Sequence, residues 1–143
     1  MILISHRGNL NGKNEKFENH PNYIQDAKKK GFDVEIDVWF KDNNFYLGHD
    51  KPLYKIDQNF IVDEKFWCHA KSPETLYELS KLNCHYFWHD TDDYTITNKG
   101  YIWIYPNKPL LKNGICVLPE KATYNNLSCK GICSDFIVNY KKI

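Results

Sequence analysis

The sequence predicts an α/β fold: a reduced TIM-like β/α barrel of about seven to eight mostly parallel strands with several outer helices missing. Two observations carry that expectation. Short apolar runs rich in β-branched and aromatic residues recur along the chain, with a helical pattern after the first and another after Phe66–Ala70, the succession that builds parallel sheets. The chain has 143 residues, against about 250 for a full eight-fold barrel, so only a trimmed barrel accommodates the pattern. An open α/β sheet is the alternative.

Ile2–Ile4 is a short apolar strand running through Ser5 into His6-Arg7, and Gly8–Phe17 is an Asn/Gly/Lys-rich loop. Asn19 or His20 caps a helix that places Pro21 at its first position, turns Tyr23, Ile24 and Ala27 to one face, and stops at Gly31. Asp33–Phe40 alternates strictly: Val34, Ile36, Val38 and Phe40 share one face, Asp33, Glu35, Asp37 and Trp39 the other. A turn at Asp42-Asn43-Asn44 returns the chain as a hairpin partner over Phe45–Leu47, ending at Gly48-His49-Asp50. Phe66–Ala70 is the next strand, and Ser72 caps a helix opened by Pro73 and lined by Leu76, Leu79 and Leu82. Tyr86–Trp88, Tyr101–Tyr105, Ile115–Leu118 and Ile132–Cys133 complete the strands. Pro106, Pro109 and Pro119 argue against helices in the gaps between the last three. No repeat or linker divides the chain, so residues 1–143 form one domain.

Composition narrows the function classes. A net charge of +1 provides no field for nucleic acid or an anionic membrane, and Lys28-Lys29-Lys30 is a solvated helix end that suits the helix dipole. No apolar run reaches the length of a membrane span, and Met1–Ser5 lacks the basic and apolar regions of a signal peptide, so it reads as a strand. The five cysteines (Cys68, Cys84, Cys116, Cys129, Cys133) are odd in number, and three lie in apolar strand-like runs. Reduced core thiols in a cytoplasmic protein are expected, and Cys129-x3-Cys133 lacks a second ligand pair for structural zinc.

The chemistry concentrates in the first third. Buried strands carry charge only when a cation or several donors compensate it, yet His6-Arg7, Glu35-x-Asp37 and His49-Asp50 all sit at strand ends. Glu35 and Asp37, two residues apart in a strand, project from the same face, a geometry suited to a hard divalent cation. Two histidines beside such an ion divide acid and base roles across a phosphodiester, and Arg7 offers bidentate grip on phosphate.

In order and spacing, His6-Arg7-Gly8, Glu18-Asn19, Gly31-Phe32-Asp33-Val34-Glu35-Ile36-Asp37-Val38 and Gly48-His49-Asp50 resemble the glycerophosphodiester phosphodiesterase family of phospholipase-C-like barrels. The segment Gly131–Phe136 is similar to that family's last strand. The resemblance implies His6 and His49 as acid and base, Glu35 and Asp37 as metal ligands, Arg7 as a phosphate clamp and Glu18 as a carboxylate on the metal side. The family's third strand carries Glu-x-Lys. Here it is His69-Ala70-Lys71, so Lys71 aligns as a phosphate-facing lysine and His69 takes the place of a metal-ligating glutamate. Magnesium or calcium is the expected ion, with manganese or zinc favoured by the imidazole. His89, Trp103, Glu120 and Asp135, with Glu18, are the expected rim or substrate-contacting residues. The reading is a phosphoric diester hydrolase of small phosphodiesters, and the alternative is a phosphate-binding module without the metal. Expected partners are the small phosphodiester substrate and a second copy of the chain in a homo-oligomer, with no nucleic acid.

Overall fold

The computed structural model describes residues 1–142. Its elements, in chain order, are β1 (Ile2–His6), α1 (Pro21–Lys29), β2 (Asp33–Lys41), β3 (Asn44–Leu47), β4 (Tyr54–Ile56), α2 (Gln58–Ile61), β5 (Phe66–Ala70), α3 (Pro73–Ser80), β6 (His85–Trp88), β7 (Tyr94–Ile96), β8 (Ile102–Ile104), β9 (Gly114–Val117) and β10 (Gly131–Ser134). Short 3₁₀ turns at Pro119–Lys121 and Ile137–Tyr140 follow β9 and β10.

Local chemistry explains the boundaries. The His20 ring accepts a hydrogen bond from the Asn22 amide, Pro21 opens α1, and Ile24 and Ala27 bury its inner face. Ser72 Oγ accepts from the Thr75 amide at the start of α3, whose buried residues are Thr75 and Leu79. Asp42 and Asn43, both at positive φ, make the two-residue turn that pairs Lys41 with Asn44. Sequence patterning does not mark β4, α2 and β7; they span only three or four residues each, too few for a periodicity to declare itself.

The strands form a curled, mostly parallel sheet, a half-barrel with few helices. Its parallel ladder runs β6-β5-β2-β1-β10-β9-β8. The β3–β4 hairpin joins antiparallel to the C-terminal half of β2, and β7 lies antiparallel on β8. Between β6 and β8, Asn98 donates its backbone N–H to the Tyr86 carbonyl (3.1 Å) and accepts the Tyr86 N–H on Oδ1 (2.8 Å). His85 bonds Thr97 there at 2.8 Å.

The pleat separates two apolar clusters. Val34, Ile36 and Val38 of β2 with Phe66 and Cys68 of β5 pack on one face against Ile24, Ala27 and Leu79 of the helices. The other face gathers Ile4, Trp67, Phe87, Trp103, Ile115, Val117 and Cys133, at least one from each of six parallel strands. Burial at this density, roughly 1.5–3 kcal/mol per large side chain, is what pins the register. The cysteines are free thiols. Among the described residues, no helix is long and apolar enough to cross a membrane.

Candidate active site

The same two-residue period that builds the second cluster also builds the site. In β1, Ile4 is followed two positions on by His6, and in β2 Glu35 is followed by Asp37. In β5, Trp67 precedes His69, and beyond β6, Phe87 precedes His89. Trp103 of β8 precedes Tyr105, and Cys133 of β10 precedes Asp135. Each of these strands except β2, whose pair is Glu35 and Asp37, therefore contributes an apolar floor residue and, nearer its C-terminal end, a polar one on the same face. Because the strands run parallel, those polar ends meet. His6, Arg7, Glu35, His49, His69, Lys71, His89, Trp103 and Asp135 line one cavity of about 390 Å³, with Lys13, Asp90, Tyr105, Leu118 and Lys121 on its walls.

Asp37 lies beneath this cavity and is wholly buried. Asn19, in the left-handed region (φ 63°), clamps it from two sides: Nδ2 donates to Asp37 Oδ2 at 2.8 Å, and Oδ1 accepts the Asp37 N–H at 2.9 Å. Arg7 Nε stands 2.9 Å from Asp37 Oδ2, and His49 Nδ1 is 3.6 Å from the same oxygen. His69 Nδ1 at 3.2 Å and Lys71 Nζ at 3.6 Å approach the other oxygen. Burial opposes the charge, but the nearby His49 and His69 imidazoles and the Arg7 guanidinium hold the Asp37 carboxyl well below the usual range.

His69 Nε2 lies 2.9 Å from the His89 carbonyl, which can only accept, so Nε2 carries a hydrogen and Nδ1 is the atom turned to the carboxylates. Nδ1 is 3.6 Å from Glu35 Oε1 and 3.2 Å from Asp37 Oδ1. Although burial works against it, the neighbouring Asp37 and Glu35 carboxylates lift the imidazole to about 9. His6 is oriented in the mirror sense. Its Nδ1 donates to Asp135 Oδ1 at 2.7 Å, leaving Nε2 free, 3.8 Å from Glu35 Oε2. Burial raises and His6 more than offsets it, so Asp135 stays below the usual carboxylate range.

Donor atoms of Glu35, Asp37 and His69 lie within 4.8 Å of one another. Ligands about 2.1 Å from an octahedral ion sit about 3.0 Å apart, so small side-chain adjustments would let the three share one. Two further facts fit a cation. Among the described residues, the buried side-chain acceptor atoms without a hydrogen-bond partner are Glu35 Oε2 and Asp37 Oδ1, and both converge here. Buried polar atoms are rarely left so, and an ordered water or a bound ion is the usual completion. The Nε2–H donated to a backbone carbonyl is also the usual way a metal-binding imidazole is aimed.

Two expected rim residues do not line this cavity. Glu18 accepts from Arg7 Nη1 (3.3 Å) and Asn9 Nδ2 (2.8 Å), and so braces the guanidinium from outside the Glu35–Asp37–His69 group. Glu120 accepts from Ser134 Oγ and the Asp135 N–H, both at 2.9 Å, and so anchors the end of β10 rather than lining the cavity. Asn9, Lys13, Leu118 and Lys121 escaped sequence reasoning, as did the clamping role of Asn19. Leu118 was legible in principle from its place at a strand end. A larger groove of about 820 Å³ beside the β2–β3 hairpin gathers no comparable set of groups. No protein-family model, curated protein or solved structure matches the chain.

Proposed function

We propose that this chain is a divalent-metal-dependent phosphodiesterase acting on small, glycerophosphodiester-like substrates, and that its half-barrel is a reduced TIM-like barrel. The observation that carries the reading is the pair of orphaned, buried carboxylate oxygens, Glu35 Oε2 and Asp37 Oδ1, with His69 Nδ1 3.2 Å from the latter and 3.6 Å from the other oxygen of Glu35. Placement at the C-terminal ends of parallel strands agrees with it, since that rim is where β/α barrels carry their reactive groups.

Glu35, Asp37 and His69 would hold the ion, which when bound supplies positive charge to a phosphoryl oxygen. Magnesium or manganese suits this mixed oxygen–nitrogen set, and calcium and zinc are the other expected ions. His6 acts as the base: Asp135 holds its Nδ1–H and leaves Nε2 to take a proton from the attacking hydroxyl. His49, half-exposed on the other carboxylate oxygen of Asp37, delivers a proton to the departing alkoxide. Lys71 and Arg7 hold negative charge at the phosphate, and Trp103, Tyr105 and His89 form the wall against one ester arm.

A second reading is a phosphate-binding module without a metal. It is favoured by Arg7 and Lys71, which already flank Asp37 and offset the site's carboxylates. Hydrolysis of bis(p-nitrophenyl) phosphate and of a glycerophosphodiester, followed in magnesium, manganese, calcium or zinc against EDTA, separates the two. The expected result is metal-dependent turnover that falls about 10²–10⁴-fold in His6→Ala and in His49→Ala. Turnover unaffected by EDTA, or equal in both variants to that of the parent chain, would refute the hydrolase.

A further inference from the structure

Asn9 is wholly buried, and its side chain uses every hydrogen-bonding position it has. Nδ2 donates to Glu18 Oε1 and to Asp135 Oδ1, each at 2.8 Å. Oδ1 accepts from Tyr23 Oη at 3.2 Å and from the Asn14 N–H at 3.1 Å. One amide nitrogen thus holds two carboxylates side by side that would otherwise repel each other.

Those carboxylates have different duties. Asp135 Oδ1 is the oxygen that also accepts from His6 Nδ1 at 2.7 Å, so the amide determines which oxygen faces the imidazole and at what angle. Glu18 turns Oε1 to Asn9 and Oε2 to Arg7 Nη1. A continuous path of polar contacts therefore runs His6–Asp135–Asn9–Glu18–Arg7–Asp37. The backbone of Asn9 is held separately, its N–H by the His6 carbonyl (2.9 Å) and its carbonyl by Ser5 Oγ (2.8 Å), so the turn does not depend on the side chain.

We propose that Asn9 is a positioning residue: through the two carboxylates it sets His6 and Arg7 in register with each other, without touching substrate or metal. The turnover part rests on the phosphodiesterase reading; the orientation part does not.

The test is Asn9→Ala, which keeps both backbone bonds, examined by three measurements. Proton NMR follows the downfield Nδ1–H resonance of His6, manganese titration follows the Glu35–Asp37–His69 group, and kinetics use bis(p-nitrophenyl) phosphate. The expected outcome is loss of the His6 resonance, manganese affinity within about threefold of the parent, and kcat lowered about 10–100-fold with little change in KM. A folded Asn9→Ala that retains the resonance and the parent kcat overturns the proposal. Should the parent chain turn over no diester, the phosphodiesterase reading fails, while the resonance still decides the orientation claim. If Asn9→Ala does not fold, Tyr23→Phe takes its place, removing one bond to the amide. A weakened His6 resonance with unchanged melting supports the proposal, and a resonance identical to the parent's overturns it.

Discussion

Replacing Asp37 by Asn changes the site's shape least and its charge most. The carboxylate is wholly buried beneath Arg7, His69, Lys71 and His49, whose nitrogens lie between 2.9 and 3.6 Å from its oxygens. Asparagine preserves volume and can still answer Asn19, but it leaves the Arg7 and Lys71 side chains, only 12% and 16% exposed, without their shared counter-charge. Removing one partner of a buried pair costs about 3–5 kcal/mol, and the lower end applies because His69 can shed its proton once Asp37 is neutral. At about 2–4 °C per kcal/mol for a chain of this size, the melting temperature should fall by about 6–12 °C in EDTA. A second, independent loss should follow with metal. An ion at a hundred times its Kd stabilises the parent by about 2.7 kcal/mol, hence a rise of about 5–10 °C that Asp37→Asn should lack. Scanning calorimetry of both proteins, with EDTA and with manganese, measures the two effects separately. A variant that melts within about 2 °C of the parent in EDTA would show that Asp37 compensates no buried cation. A variant that keeps the full metal-induced rise would remove Asp37 from the metal site.

Two further outcomes are expected. Burial, with Lys99 nearby, depresses His85 to about 4, so the unfolded chain binds more protons than the folded one between about pH 4 and the ordinary 6.5. Stability should therefore decline by about 3 kcal/mol as pH falls through that window, and His85→Gln, followed by urea melts across it, should flatten the dependence; an unchanged slope contradicts the assignment. Gly8 sits at φ +93° with its added Cβ only 2.6 Å from Tyr23 Cδ1, so Gly8→Ala should cost at least about 1 kcal/mol in a urea melt. A neutral Gly8→Ala would mean that the turn after β1 relaxes freely.

Phosphodiester chemistry at this site would require that the reacting groups be few in kind but many in origin. His6 and Arg7 leave β1, Glu35 and Asp37 lie in β2, His49 follows the hairpin, His69 and Lys71 end β5, and Asp135 ends β10. Parallel strands permit this because every one of them delivers its C-terminal end to the same rim. The apolar cluster below, with Trp67, Phe87 and Trp103 packed at ring separations of 4.5–6.0 Å, keeps those ends at fixed height. The site is thereby placed by packing and tuned by charge.

How much of this the amino-acid order determined unaided differs from element to element. Pro21 after His20, Ser72 before Pro73, and the alternation of Asp33–Phe40 are local signals, and each names its element because caps and pleat period act over a few residues. The same period puts Glu35 and Asp37 on one face. What remained to tertiary structure was every relation across the sheet. That Asp135 meets His6 follows from the pairing of β10 with β1, a contact between chain ends separated by 129 positions. The bracing of Glu18 and Asp135 by Asn9, the anchoring of β10 by Glu120, and the aim of His69 Nδ1 set by the His89 carbonyl are likewise invisible in a linear reading. Hydrogen bonds carry orientation as well as proximity, and orientation is decided only when strands from distant parts of the chain are locked side by side by the apolar residues they bury.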